Sequence, residues 1–127
     1  MKEITAVIRM NMITKTKEAL LKAGFPSFTC RKVVGRGKKK VDFSMIDEAI
    51  SERVMLNTSI AEEISEMHRL VPKRMITILV NDEDAQEVID IIIETNKTGH
   101  PGDGKIFVTN ITDVLRVRTG DTNEAAL

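Results

Sequence analysis

Arg74-Met75-Ile76-Thr77-Ile78-Leu79-Val80, with Asn81-Asp82 behind it, is the stretch whose reading decides the fold. It is apolar and β-branched along most of its length, the composition of a strand buried in a sheet. Asn81 or Asp82 then caps a helix that turns Ala85, Val88, Ile89 and Ile92 inward, and Gly99 ends it. After the run Gly99 to Lys105 the chain re-enters an extended pattern at Ile106 to Val108. Thr112 to Arg118 follows as a short tail strand, alternating Val114, Arg116 and Arg118 with Leu115 and Val117. Upstream, residues 3–10 place Ile4, Ala6, Ile8 and Met10 on one side of a first strand, with Thr5, Val7 and Arg9 on the other. Thr14 caps a helix whose stripe is Thr16, Ala19, Leu20 and Ala23, and Gly24 stands at its C-terminal end before Phe25-Pro26. A second strand runs from about Phe28 to Val34 and stops at Gly35-Arg36-Gly37. The order β, α, β, β, α, β with right-handed crossovers implies an α+β fold, a ferredoxin-like sandwich with both helices on one face of an antiparallel sheet. The other face carries apolar as well as polar residues and invites sheet-to-sheet oligomerisation.

The 127 residues make one compact domain, and 19 Lys+Arg balance 19 Asp+Glu. With 30% charged and 42% hydrophobic residues the chain is neither disordered nor collagen-like. Zero net charge, no Trp or Tyr and only four Phe argue against nucleic-acid binding built on phosphate neutralisation or base stacking. Apolar runs end after three or four residues (Ile91 to Ile93), far short of the ~20 of a membrane span, and no signal-peptide core follows Met1. The expectation is a cytoplasmic protein without membrane insertion. Its single cysteine, Cys30, suits a reducing compartment and completes no zinc motif.

More than thirty residues separate the second and third strands, an unusually long connection and for that reason a functional candidate. The segment is polarised. Arg31 to Lys40 holds six basic residues and no acid, whereas Asp47 to Glu66 holds six acids and Arg53 as its only base. Ser44 with Asp47 and Ser59 with Glu62 read as caps of two short amphipathic helices, joined at Asn57-Thr58. Ile46, Ile50, Ile60 and Ile64 are their anchors for a protein target, with the acids supplying steering.

Chemistry gathers elsewhere. Gly102-Asp103-Gly104-Lys105 reads either as a plain turn or as a loop whose backbone N–H groups point together at an anion that the lysine neutralises. Arg116 and Arg118, two apart on one strand, would project from the same face, suited to phosphate or to simple edge charge. Gly35-Arg36-Gly37-Lys38-Lys39-Lys40 is a basic turn without P-loop spacing. In an oligomer these three segments could meet at a subunit cleft, with Lys38, Lys105, Arg116 and Arg118 lining one polyanion site. His68 and His100 have no metal-ligand spacing, and no acid, base or nucleophile constellation indicates an enzyme.

Thr98-Gly99-His100-Pro101-Gly102-Asp103-Gly104-Lys105-Ile106-Phe107-Val108 resembles the signature that follows the second helix in the PII family of nitrogen regulatory proteins. Val114 to Gly120 resembles that family's last strand, Val34-Gly35-Arg36-Gly37 the start of its long T-loop, and Val71-Pro72-Lys73 the end of it. The similarity covers the chain except about residues 39–70, where the T-loop is longer and different in sequence. The resemblance implies one domain over residues 1–127 with a T-loop at about 37–73, assembled as a trimeric barrel with ATP or ADP in each intersubunit cleft. Nucleotide contacts would be Gly35, Gly37, Lys38, Gly102, Asp103, Gly104, Lys105, Arg116 and Arg118, with Thr29 and Leu79 near the base. Lys73 would hold the carboxylate of 2-oxoglutarate, a second effector. Lys38 replaces the family's arginine and loses its planar fork. Lys39 replaces the glutamine that ligates Mg²⁺ and 2-oxoglutarate, and a protonated ammonium has no lone pair for a metal. With no tyrosine, tyrosine nucleotidylation is impossible, while Ser44 and Ser51 remain open to modification.

A long T-loop with a substituted glutamine is similar to the paired PII variants of nitrogen fixation. That resemblance implies a non-catalytic regulator that binds and inhibits dinitrogenase together with a PII paralogue, in a homo- or hetero-trimer, until effectors release it. The alternatives are a conventional PII regulator of an ammonium transporter or assimilation enzyme, and a trimeric metal-tolerance protein without ATP.

Overall fold

The computed structural model describes residues 1–37 and 70–127. Residues Met1–Val33 and Pro72–Leu127 form one compact unit, and Val34–Val71 form another. The elements are β1 (Lys2–Arg9), α1 (Ile13–Lys22), β2 (Thr29–Gly35), β3 (Val71–Val80), α2 (Asp82–Asn96) and β4 (Gly104–Asn110). The four strands lie in the order β2-β3-β1-β4. β1 runs antiparallel to both of its neighbours, with Ile4 opposite Ile78 on β3 and Val108 on β4. This is the ferredoxin-like arrangement that the alternation of elements implies.

The strand period of two divides the sheet cleanly. Ile4, Ala6, Ile8, Ile76, Ile78 and Val80 point to one side, where Leu20 of α1 and Ala85, Val88 and Ile92 of α2 complete the core. α1 and α2 pack against each other on that side. Within this apolar layer Thr16 and Asn96 form a polar link: the Asn96 amide nitrogen donates to the Thr16 hydroxyl at 3.0 Å, that hydroxyl donates to the Met12 carbonyl at 2.8 Å, and the buried Asn96 Oδ1 is left without a partner. The opposite face of the sheet shows Thr5, Val7, Met75, Thr77, Leu79 and Phe107, with Phe107 52% exposed. Among the described residues no helix lies on it, and it has the mixed apolar and polar character expected from the strand patterns.

Several local expectations change. α1 begins at Ile13 behind a 3-10 turn over Met10–Met12, so Thr14 lies inside the first helical turn and caps nothing. Asn81 occupies the N-cap position of α2 without a side-chain hydrogen bond; Asp82, Glu83 and Asp84 in the first turn face the positive end of the helix instead. Gly24 does close α1, with φ +91° and the Phe25 N–H on the Leu20 carbonyl at 2.9 Å. α2, in contrast, ends at Asn96 because Lys97 turns extended, three residues before Gly99. β4 is longer than Ile106 to Val108, running from Gly104 to Asn110.

The tail strand does not form. Residues 112–118 make only an isolated bridge, Leu115 to Thr122, and Val117 to Thr119 lie in a turn. A reversal closes there: Gly120 at φ +74° donates to the Arg116 carbonyl at 2.7 Å, and the Arg116 N–H donates to Asp121 at 2.8 Å. The alternation leaves Leu115 and Val117 exposed, with Val114 and Arg116 only half-buried. The caps at Ser44 and Ser59 and the joint at Asn57-Thr58 lie outside the described residues.

Candidate functional site

Antiparallel pairing brings three distant parts of the chain to one end of the sheet. β1 ends at Arg9, which stands opposite Lys73 near the start of β3, and Ile8 stands opposite Gly104 at the start of β4. The loop from Lys97 to Asp103 therefore arrives over the ends of β1 and β3. Arg9, Lys73 and Lys105 share the uncovered face by strand alternation.

The loop is organised around Asp103. Its Oδ2 accepts the N–H of Thr98 at 2.8 Å and of Gly99 at 3.0 Å. Its Oδ1 accepts the Thr98 hydroxyl and Arg9 Nη1, the latter at 2.6 Å. The Thr98 hydroxyl and N–H, followed by the Arg9 guanidinium, hold the Asp103 carboxyl well below the usual carboxylate range. These bonds also explain why α2 stops early, because the N–H groups of Thr98 and Gly99 turn to a carboxylate instead of extending the helix. Arg9 Nη2 donates to the Pro101 carbonyl at 3.0 Å, and Lys73 Nζ donates to the Gly102 carbonyl at 3.1 Å.

Two glycines are obligatory here. Gly102 has φ +97°, and a Cβ on it would lie 3.3 Å from Arg9 Nη2. Gly104 has φ +131°, and a Cβ there would collide with the Val7 carbonyl oxygen of the paired strand. Beside the loop a cavity of about 280 Å³ opens between the end of α2 and the start of β4, lined by Ile92, Ile93 and Lys97 together with Asp103 to Ile106.

The candidate residues thus fall into separate groups. Lys73, Gly102, Asp103, Gly104 and Lys105 are together at this end of the sheet. Asp103, expected as a nucleotide contact, turns both oxygens to its own loop and to Arg9 at the end of β1. Leu79 lies on β3 six residues beyond Lys73, about 20 Å away at the usual strand rise. Thr29 borders a shallow depression of about 390 Å³ on the uncovered face, with Thr5, Met75 and Thr77 among its neighbours. Arg116 sits in the C-terminal reversal with Nη1 3.2 Å from Asp121 Oδ2, and Arg118 is exposed in the turn that follows. The paired projection expected of these two arginines from one strand is therefore absent, because the reversal at Gly120 replaces the strand. Gly35 closes β2 and Gly37 lies just beyond it, both in the second unit. Lys38, Lys39, Ile46, Ile50, Ile60 and Ile64 lie outside the described residues. Among the described residues no cluster of His, Cys, Asp or Glu could hold a metal ion.

Arg9 and Thr98 are the participants that motif reading passed over. Thr98 belonged to the recognisable run before Lys105. Arg9 gave no signal, since its partner Asp103 is 94 residues away and only strand pairing brings them together.

The glycine loop, its two lysines and the ferredoxin-like sheet match a known pattern: residues 1–121 fit the family model described as Nitrogen regulatory protein P-II. The chain belongs to the PII family. A "Nitrogen fixation nifHD region GlnB-like protein 2" of Methanobacterium ivanovii is 47% identical over the whole of this chain and 99% of its own length. The protein of the same description from Methanococcus maripaludis is 42% identical with full coverage of both. Among solved structures, Arabidopsis thaliana PII bound to citrate superposes with a TM-score of 0.71 at 30% identity, covering 98% of this chain and 87% of that one. The resemblance carried by Thr98 to Val108 and by the T-loop flanks therefore holds for family, for fold and for likeness to the nitrogen-fixation paralogues. PII proteins are regulators, and the alternative of a metal-tolerance protein is set aside.

Proposed function

We propose that this PII protein senses ATP or ADP together with 2-oxoglutarate and regulates nitrogen fixation by binding and inhibiting dinitrogenase through its T-loop, about residues 37–73, in company with a PII paralogue. The observation that carries the reading is full-length identity of 47% and 42% to proteins named for a nitrogen-fixation region. The acidic stretch from Asp47 to Glu66, with Ile46, Ile50, Ile60 and Ile64 as anchors, supplies the chemistry of a protein contact.

The glycine loop supports the nucleotide half of the reading. Gly102 and Gly104 hold a main chain that no side chain crowds from their own positions, and Lys73 and Lys105 flank it with positive charge. This donor set suits phosphate oxygens. Lys73 is the residue for the 2-oxoglutarate carboxylate, and a relative of this fold bound to citrate is in keeping with a carboxylate ligand. Mg²⁺ would have to find ligands other than Lys39, whose ammonium offers no lone pair. Gly35, Gly37, Lys38, Thr29, Leu79, Arg116 and Arg118 complete the nucleotide site across the subunits of a trimer. The protein acts in the cytoplasm; no helix among the described residues is long and apolar enough to cross a membrane.

Purified dinitrogenase assayed with and without this protein and its paralogue tests the proposal. Inhibition relieved by ATP with 2-oxoglutarate, and lost on deletion of residues 44–68, is the expected result. Inhibition that survives the deletion would remove the T-loop from the account.

A further inference from the structure

Arg9 has no role in the site as read from motifs, yet it is the residue through which the glycine loop is tied to the sheet. It terminates β1, and its side chain is 28% exposed. One arm of the guanidinium, Nη1, meets Asp103 Oδ1 at 2.6 Å, and the other, Nη2, donates to the Pro101 carbonyl at 3.0 Å. The fork thus grips the loop at two points, a side-chain anion and a backbone oxygen, with two nitrogens held apart in one plane where an ammonium has all its donors on a single nitrogen. The same Nη2 would lie 3.3 Å from a Cβ at Gly102, so the guanidinium fills the space beneath that residue. Lys73, directly opposite Arg9 in the sheet register, holds the next carbonyl, that of Gly102, at 3.1 Å.

The need for such a tie follows from the loop's composition. Gly99, Gly102 and Gly104 all have positive φ, and glycines restrain a backbone less than any other residue. Left to itself the segment would sample many conformations, and a ligand would have to order it on binding. Thr98 and Gly99 secure one side of Asp103, whereas Arg9 secures the other to a strand whose neighbours Ile8 and Val7 are locked in the sheet.

We infer that Arg9 is a positioning residue for the anion-binding loop: acting through Asp103 and the Pro101 carbonyl, it pre-orders Gly102 to Lys105 before any ligand arrives, and does not itself bind the nucleotide. This rests on the nucleotide reading given above.

The test is a mutant cycle on the intact oligomer with two readouts. ATP affinity is measured for wild type, Arg9→Gln, Asp103→Asn and the double variant; amide hydrogen exchange is measured on each without nucleotide. Arg9→Gln should weaken ATP roughly tenfold, in the range of couplings between contacting residues. Added to Asp103→Asn it should weaken ATP by clearly less than it does alone, because the ion pair is already gone and only the bond to the Pro101 carbonyl remains to be lost. Arg9→Lys, which keeps charge and loses the fork, should recover only part of the loss. Exchange at Gly99 and at Gly102 to Lys105 should quicken in Arg9→Gln while Ile4 and Ile76 keep their protection. Independent, multiplicative losses in the cycle would overturn the inference, as would unchanged exchange in the loop. Full recovery by Arg9→Lys would reduce Arg9 to a charge. A wild type that binds no ATP defeats the nucleotide reading and the purpose assigned to the tie, and the exchange result then decides separately whether the tie exists.

Discussion

At the scale of single residues, Gly104 and Gly99 offer a matched pair. Both have positive φ, but a Cβ at Gly104 runs into the Val7 carbonyl, whereas one at Gly99 meets open space. Gly99→Ala should cost only the left-handed backbone penalty, about 1–2 kcal/mol. Gly104→Ala should cost more, because the strand pairing of Ile8 with Gly104 must give way as well. Urea unfolding of both variants checks the ranking, and equal costs would contradict it. Asp103 yields a second test. Its carboxyl titrates near about 3.9 in an unfolded chain and lower in the fold. The stability it contributes is whole above about pH 4 and is lost as pH falls through the folded value. The acid limb of wild type should therefore be steeper than that of Asp103→Asn between pH 4 and pH 2, and parallel limbs would exclude the carboxylate from the latch. The glycines of this loop were legible because their type and spacing advertise a constrained backbone. Arg9 was not, because an arginine at the end of a strand looks like any solvated charge until pairing sets Asp103 beside it.

Elements were legible where burial enforces a period. Ile4, Ala6 and Ile8, or Ala85, Val88 and Ile92, repeat at two and at three to four residues because one side of each element meets the core. Leu20→Ala, at a wholly buried position of α1, should therefore destabilise by about 2–5 kcal/mol. The Thr16 and Asn96 link gives a subtler expectation. Thr16→Val leaves the buried Asn96 amide without one of its two acceptors, Ile92 being the other, and should cost about 1–3 kcal/mol despite adding apolar surface. A thermal midpoint at or above wild type would refute that. The tail from Thr112 to Arg118 shows the converse. Its alternation of Val and Leu with Arg carries the period of a strand, but the side with Leu115 and Val117 is exposed, and local bonds at Thr119, Gly120 and Asp121 turn it back. Helix caps misled in the same way: Thr14 has the right chemistry for a cap and sits two residues too late.

For the whole molecule, the dispersal of the candidate ligands is the informative feature. Lys73 and the glycine loop occupy one end of the sheet, while Leu79, Thr29 and Arg116 lie elsewhere in the same chain, so the proposed nucleotide site would need neighbouring copies to be complete. The sheet face with Phe107, Leu79 and Val7 would be the surface for that proposed assembly. Phe107→Asp should accordingly lower the mass seen by light scattering from trimer to monomer with the circular dichroism of the folded chain retained; an unchanged mass would place the interface elsewhere. No strand pattern reveals which residues of different subunits would meet, and the proposal that they share one site rests on the likeness to PII proteins. The most direct test of the nucleotide-sensing account is calorimetric titration of the purified oligomer with ATP in Mg²⁺ buffer, with and without saturating 2-oxoglutarate, and with Arg116→Ala as control. The account predicts saturable ATP binding that Arg116→Ala weakens and 2-oxoglutarate tightens, the coupling being reciprocal. Absence of ATP binding by the wild-type oligomer would contradict it.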